Sequence, residues 1–178
     1  MPTELRRTCR VRLVPDPDTE RRLFELGDVF AKCWNEVNYL RRRQFFEKVG
    51  VDFALTEKLI YEKYKGELKV NAQQVARKNA EAWRSFFKNL KLKKEGKLPS
   101  FIVPRPPGYR KDREKNERVP FLLIRNDRYE LGDGYIYLKD FKLKIPYKGR
   151  IHLKGKQGRL EIHYDPVRRR WYAHIPFR

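Results

Sequence analysis

Residues 6–14, RRTCRVRLV, alternate with a period of two. Thr8, Arg10 and Arg12 face one way and Cys9, Val11 and Leu13 the other, the pattern of a half-buried strand. Pro15 to Asp18 stop that strand and start a helix. Asp16 can cap it, Pro17 suits its first position, and Asp18 and Glu20 suit its positive end. The apolar period then becomes helical to about Lys48, with the stripe Leu23, Leu26, Phe30, Cys33, Val37 and Leu40. Arg41, Arg42 and Arg43 near its end complement the negative pole and offer themselves to phosphate. Gly50 breaks the pattern. A shorter helix is expected over Leu55 to Lys65, ended by Gly66. A third opens at Asn71, with Asn71 and Gln74 resembling a capping box and Val70 and Val75 a hydrophobic staple. Its stripe is Val75, Ala82, Phe86 and Leu90, flanked by Trp83 and Phe87.

Residues 91–120 show no sustained period and hold five prolines and two glycines. They read as a mobile basic connector, ordered on a ligand. Beyond them the period is two again. Short strands are expected at Phe121–Arg125, Tyr135–Leu138, Phe141–Ile145, Arg150–Leu153, Arg159–Tyr164 and Trp171–Ile175, separated by Asn-Asp, Gly-Asp-Gly and Asp-Pro turns. Strands of this length and spacing suggest a small barrel or sandwich. The expected class is α+β: a small antiparallel β-barrel, wedge- or OB-like, with a helical insertion between its first and second strands. The segments are a first strand (1–14), a helical insertion (15–98), a basic connector (99–120) and the remaining strands (121–178).

Composition adds the partner. Of 178 residues, 43 are Lys or Arg and 23 Asp or Glu, a net charge of +20. The excess is uneven: net +4 over residues 1–83, +8 over 84–118, −1 over 119–138 and +9 over 139–178. A concentrated positive field captures polyanions, and nucleic acid is the commonest of these. An aromatic share of 13% sets the chain apart from a disordered polybasic tail. No window approaches a membrane span, and the N-terminus lacks a long apolar run, so no signal peptide and no membrane partner are expected. Two cysteines, Cys9 and Cys33, fit buried thiols in a reducing, cytoplasmic setting, here nucleoid-associated. Abundant Lys, Arg and Glu fit a thermophile.

Three patterns bear on catalysis and metal binding. The basic C-terminal segment holds only Asp140, Glu161 and Asp165 as acids, two of them at turns, which is poor for a two-cation nuclease. His152, His163 and His174 recur every eleven residues on expected strands; sheet-surface or RNA-stacking roles suit them better than zinc. Phosphate-loop, dinucleotide and nucleophile-elbow motifs are missing. Neither a cofactor, a metal nor a catalytic residue is expected. Basic residues interleaved with aromatics carry the positive signal: Tyr109 among Arg105, Arg110 and Lys111; Tyr147 beside Lys148; Trp171 and Tyr172 after Arg168, Arg169 and Arg170. Cations neutralise phosphates while rings stack on bases.

The run RVRLVPDPDTERRLFELGDVFAKCWNEVNYL resembles the opening of the TnpB (OrfB) family of transposon-encoded RNA-guided nucleases, relatives of type V CRISPR effectors. It has their strand, proline turn and helix with an aromatic-Val-Asn pattern, here Trp34-Asn35 and Val37-Asn38. KVNAQQVARKNAEAWRSFFKNL is similar to the family's Gln-bearing helix with paired phenylalanines, Phe86-Phe87. GKLPSF resembles its Pro-Phe connector, and RNDRYEL, YIYLKDFKLKIPYKG and RRWYAHI its following strands. The resemblance implies a wedge-type barrel with a helical recognition insertion, binding a structured guide RNA and the duplex DNA beside the target. It places Lys69 and Gln73 at helix-entry positions that read that duplex, with Asn126 and Phe53 on the same surface; Arg77 is a further nucleic-acid-binding candidate. The family's RuvC-like nuclease and zinc-ribbon parts find no counterpart in these residues, so the chain is expected to be non-catalytic by itself, as an excised fragment or a short derivative. A small stand-alone nuclease or transposase, and an RNA-associated structural protein, are the alternatives.

Overall fold

A computed structural model describes residues 5–178; residues 1–4 of the expected first strand lie outside it. Its first element is β1 (Arg7–Leu13), followed by α1 (Pro17–Phe46). The helix starts as its sequence directs: Asp16 Oδ1 accepts the Thr19 N–H at 2.8 Å, with Pro17 inside the first turn. Over 30 residues α1 serves two cores. Its first half meets the sheet, where Phe24 packs edge-on to Trp171 at 5.0 Å and Phe30 to Phe121 at 6.3 Å. Its last turns meet the other helices, where Phe45 packs 5.7 Å from Trp83 and 5.3 Å from Phe86. Gly27 permits the close approach to the sheet, since a Cβ there would stand 2.7 Å from Pro120 Cβ.

The second helix, α2 (Phe53–Leu68), is longer than expected at both ends. Asp52 caps it by accepting the Leu55 N–H at 2.9 Å, and Gly66 does not end it. Leu68 is fully buried, and that burial carries the helix past the glycine. The break falls at Lys69, with φ of 57° and ψ of −143°. Helix α3 (Asn71–Lys94) follows at once. The expected capping box does not form. The Asn71 side chain turns to the sheet instead, donating to Asp140 Oδ2 and accepting from the Arg125 N–H, each at 3.0 Å.

The remaining strands are β2 (Lys111–Asp112), β3 (Glu117–Arg118), β4 (Phe121–Ile124), β5 (Tyr129–Leu131), β6 (Tyr135–Leu138), β7 (Leu143–Lys148), β8 (Leu160–Asp165) and β9 (Arg170–Phe177). Three differences from the sequence reading stand out. Residues 150–153 form no strand. Strand β7 starts later, because a 3-10 turn at Lys139–Phe141 and a left-handed Lys142 precede it. Strand β5 and the β2–β3 hairpin are additional; their strands are only two or three residues long, too short for a visible period.

Seven strands form one antiparallel sheet in the order β4-β8-β9-β1-β7-β6-β5. The expected closed barrel is therefore corrected: β4 and β5 are free edges of an open ladder. Only residues 125–128 link these edges, so the sheet must curl strongly. Side chains tie β5 and its preceding turn to the segment ahead of β8. Tyr129 Oη donates to the Gly158 carbonyl at 2.7 Å, and Gln157 Nε2 donates to the Asn126 and Tyr129 carbonyls at 2.9 and 3.0 Å. Helices α1 and α3 pack on β4, all four of whose residues are buried. The concave side holds Val11, Leu13, Ile136, Ile145, Ile162, Trp171 and Ile175. No helix among the described residues is long and apolar enough to cross a membrane.

Candidate nucleic-acid interface

Alternation on the central strands puts the core residues on one side and a basic, aromatic row on the other. On β1 the outward residues are Thr8, Arg10 and Arg12. Antiparallel register sets Arg10 opposite His174 of β9, and Arg12 between Tyr172 of β9 and Lys148 of β7. The Arg10 guanidinium lies 3.9 Å from the Tyr172 ring centre. Two strands away, Lys144 Nζ lies 4.2 Å from the Tyr135 ring centre. Arg168, in the β8–β9 turn, holds the Tyr172 phenol below its ordinary pKa, the effect of a cation beside an ionisable hydroxyl. Arg12 Nε is buried without a hydrogen-bond partner, so its donor is unused.

The candidate residues fall in three places. Lys148 belongs to this row and Arg168, Arg169 and Arg170 border it, all exposed; Arg169 adopts a left-handed φ of 55° in the turn. A second group lies on the helices. Phe53 opens α2, its ring within 4.9 Å of the Arg84 guanidinium and 5.1 Å of that of Arg41. Lys69 Nζ donates to the Gly66 carbonyl at 3.0 Å, and Arg77 pairs with Glu57 at 3.0 Å. Gln73 is half-buried in the first turn of α3. Lys69 does not share that helix, because the backbone breaks between them. Asn126 sits exposed in the β4–β5 turn. The bond from the Arg125 N–H to Asn71 brings that turn beside the start of α3, so Asn126 and Gln73 lie on neighbouring elements.

The third group is the connector, which is tied to α1. Asn38 Nδ2 donates to the Pro107 carbonyl at 2.8 Å, Trp34 Nε1 to the Gly108 carbonyl at 3.0 Å, and the Arg110 N–H to Asn35 Oδ1 at 2.7 Å. These bonds explain the Trp34-Asn35 and Val37-Asn38 pattern: its polar members clamp the connector, and Asn38 also accepts from Trp83 and Asn79 of α3. Arg110 lies 3.5 Å from the Phe121 ring centre, and burial lowers its pKa to about 10. Tyr109 is 43% exposed, under the Arg42 guanidinium. Arg105 and Lys111 are exposed.

Of the three arginines ending α1, Arg41 is buried, donating to Thr56 Oγ1, the Ala76 carbonyl and Asn79 Oδ1; it is a structural bolt between helices, unavailable to phosphate. Arg42 donates to the Pro107 carbonyl at 3.0 Å. Conversely, Arg10, Arg12 and Lys144 join the candidate ligand contacts only with the structure, although the alternation of β1 already turns the two arginines outward.

Apart from His152, these acids and histidines are engaged with one another, with cations or with backbone. Asp140 pairs with Arg128, Asp165 caps the turn at Val167, and Glu161 bonds Lys78 and His163 at 3.0 and 3.1 Å. Burial pushes Glu161 up, but His163 and Lys78 outweigh it and hold it at about 2. His163 and His174 rings are 5.5 Å apart, while His152 lies near Arg7 and Phe177. Among the described residues no three His, Cys, Asp or Glu side chains group as metal ligands. Both cysteines are buried.

No protein-family model matches the chain. It is 53% identical over 174 residues, 96% of its length, to the TnpB-like protein ORF457 of Acidianus two-tailed virus, and spans 38% of that relative. Nearly end to end, then, this chain is similar to part of a TnpB-like protein, the family that its own motifs resemble.

Proposed function

We propose that this chain is a nucleic-acid-binding module of a TnpB-like transposon protein. It binds a structured guide RNA and the duplex DNA beside the target, acts in the cytoplasm on the nucleoid, and is not catalytic by itself. The observation that carries the reading is the outward row of Arg10, Arg12, Tyr172, Lys144 and Lys148 on strands whose other side is the core. Such a surface offers phosphate neutralisation and ring faces together, which suits RNA. The net charge of +20 supplies the long-range attraction. The start of α3 with Gln73, flanked by the turn bearing Asn126, is a separate, less basic corner, and we assign it to the duplex. Gln can bond an adenine edge in two places.

The test is a titration of fluorescein-labelled hairpin RNA by the purified chain across a salt series. Each neutralised phosphate contributes about −0.9 to the log–log slope on duplex and about −0.7 on single strands. Several contacts give a slope of roughly −4 or steeper. A slope near zero would sink the reading. Incubation of plasmid and RNA with magnesium or manganese should leave both uncut; nicking abolished by Glu161→Gln or Asp140→Asn would favour the stand-alone nuclease instead.

A further inference from the structure

The segment after α3 presents apolar side chains to solvent in a way that core packing does not explain. Phe101 is 83% exposed, and Ile102 and Val103 beside it are also exposed. The tip is not slack. Lys93 Nζ, in the last turn of α3, donates to the carbonyls of Pro99, Ser100 and Ile102 at 3.4, 3.1 and 3.0 Å. The Ile102 N–H closes a turn on the Pro99 carbonyl at 3.0 Å. Pro99 and Pro104 fix φ on either side. An ammonium directs its three donors to three carbonyls of one loop, and the product is a shaped tip with its ring turned outward. Lys88, Lys91, Lys94, Lys97 and Arg105 flank it in sequence, and Glu95, paired with Lys97 at 3.0 Å, is the one acid between residues 88 and 105.

We infer that residues 99–103 form a base-stacking tip, with the Phe101 ring set against an unstacked nucleobase and the neighbouring lysines on the flanking phosphates. The inference rests on the nucleic-acid reading above and goes beyond it by assigning a separate contact at the far end of α3. A single ring with two branched side chains matches the size of one base step, the scale of the apolar side chains that proteins insert into nucleic acids. A lipid surface would call for a broader apolar face. Unpaired bases are available in single strands and at duplex ends, and both offer the same ring face.

The experiment compares wild-type chain with Phe101→Ala, Phe101→Trp and Lys93→Met. The probes are a single-stranded RNA and a blunt DNA duplex, each with 2-aminopurine at successive positions, and phosphatidylglycerol vesicles. The side chain of Phe101 is solvent-exposed, so its variants keep the fold, checked by circular dichroism. Phe101→Ala should weaken binding to at least one oligonucleotide roughly 5- to 150-fold, the range of one aromatic stack, and abolish a position-specific change in 2-aminopurine emission. The salt slope should stay unchanged, because the ring neutralises no phosphate. Phe101→Trp should retain both signals, and Lys93→Met should lose part of the affinity without changing the slope, since that ammonium is engaged by the loop. Equal affinity of Phe101→Ala and wild type, with steep salt dependence in both, would overturn the tip alone. A wild-type chain that binds neither oligonucleotide would overturn the reading beneath it. Phe101-dependent sedimentation with vesicles, with oligonucleotide binding unaffected, would reassign the tip to a membrane.

Discussion

The Arg10 guanidinium stands over the Tyr172 ring at 3.9 Å, although the two residues come from opposite ends of the chain. They meet because β1 and β9 pair antiparallel, with Arg12 opposite Tyr172 and Arg10 opposite His174. A cation over a ring face gains about 0.5–1 kcal/mol at an exposed site. The contact braces the long Arg10 side chain while leaving its N–H donors for a ligand. A cation and a ring face are thus pre-positioned side by side by a strand register.

Replacing Arg10 and Arg12 together by Ala should flatten the salt slope on RNA by about 0.7–0.9 for each phosphate that is no longer neutralised. Stability should fall by no more than about 1 kcal/mol per residue, since the pair contributes one exposed cation–π contact. Anisotropy titrations and urea melts read the two effects separately. An unchanged slope would remove this row from the interface.

Arg41→Ala should destabilise the chain by about 3 kcal/mol or more. It strands the acceptors of Thr56, Ala76 and Asn79 in the interior and leaves a void among three helices. Arg43→Ala, which removes an exposed pair with Glu47 and an outlying contact of the guanidinium with the Tyr39 ring at 5.9 Å, should cost under about 1 kcal/mol. Similar urea midpoints for the two variants would refute the structural role given to Arg41.

Acid should loosen the packing of α3 on β8. Glu161 is held at about 2 against an ordinary 4.5. Its folded pKa lies below the unfolded one, so its stabilisation is present above about pH 5 and diminishes as pH falls towards 2. The reduction is on the order of 2–3 kcal/mol. Glu161→Gln should be less stable at neutral pH, and its stability should fall less between pH 5 and 2. Parallel stability curves for the two proteins would contradict this.

Gln73→Ala should cost about 1–3 kcal/mol on a preferred duplex and far less on a scrambled one. Selection of preferred sequences from a random duplex pool supplies the first probe. Equal losses on both would mean that Gln73 carries no sequence information.

Lys69→Gly should stabilise the fold by about 1 kcal/mol, because φ of 57° with ψ of −143° is a conformation that glycine alone adopts without strain. If Lys69 also touches duplex, binding will weaken while the melting temperature rises, and the two readouts separate the roles. A lowered melting temperature would show that the side chain supports the helix break.

Local rules are legible wherever burial agrees with them. The β1 alternation, the Asp16 cap and the α1 stripe all appear as the residues direct. They fail where distant packing overrides them. Gly66 stays helical because Leu68 must be buried, and Asn71 leaves its cap position because Asp140 and the Arg125 N–H offer it partners across 54 and more residues. Among site residues, Arg110 resembles a phosphate ligand by its neighbours, yet its guanidinium rests on Phe121.

By itself the sequence determined the α+β class, the order of the helices between β1 and the later strands, and the concentration of positive charge, because period, caps and charge are properties of neighbouring residues. Only the tertiary structure decided that the sheet stays open, that Gln157 and Tyr129 tie β5 to the segment ahead of β8, that Arg41 is buried while Arg10 is not, and that Asn126 comes beside the helix of Gln73. Those facts depend on strand register and on which distant acceptors meet which donors. Neither is encoded in any local period, since register is settled by the whole set of buried faces at once.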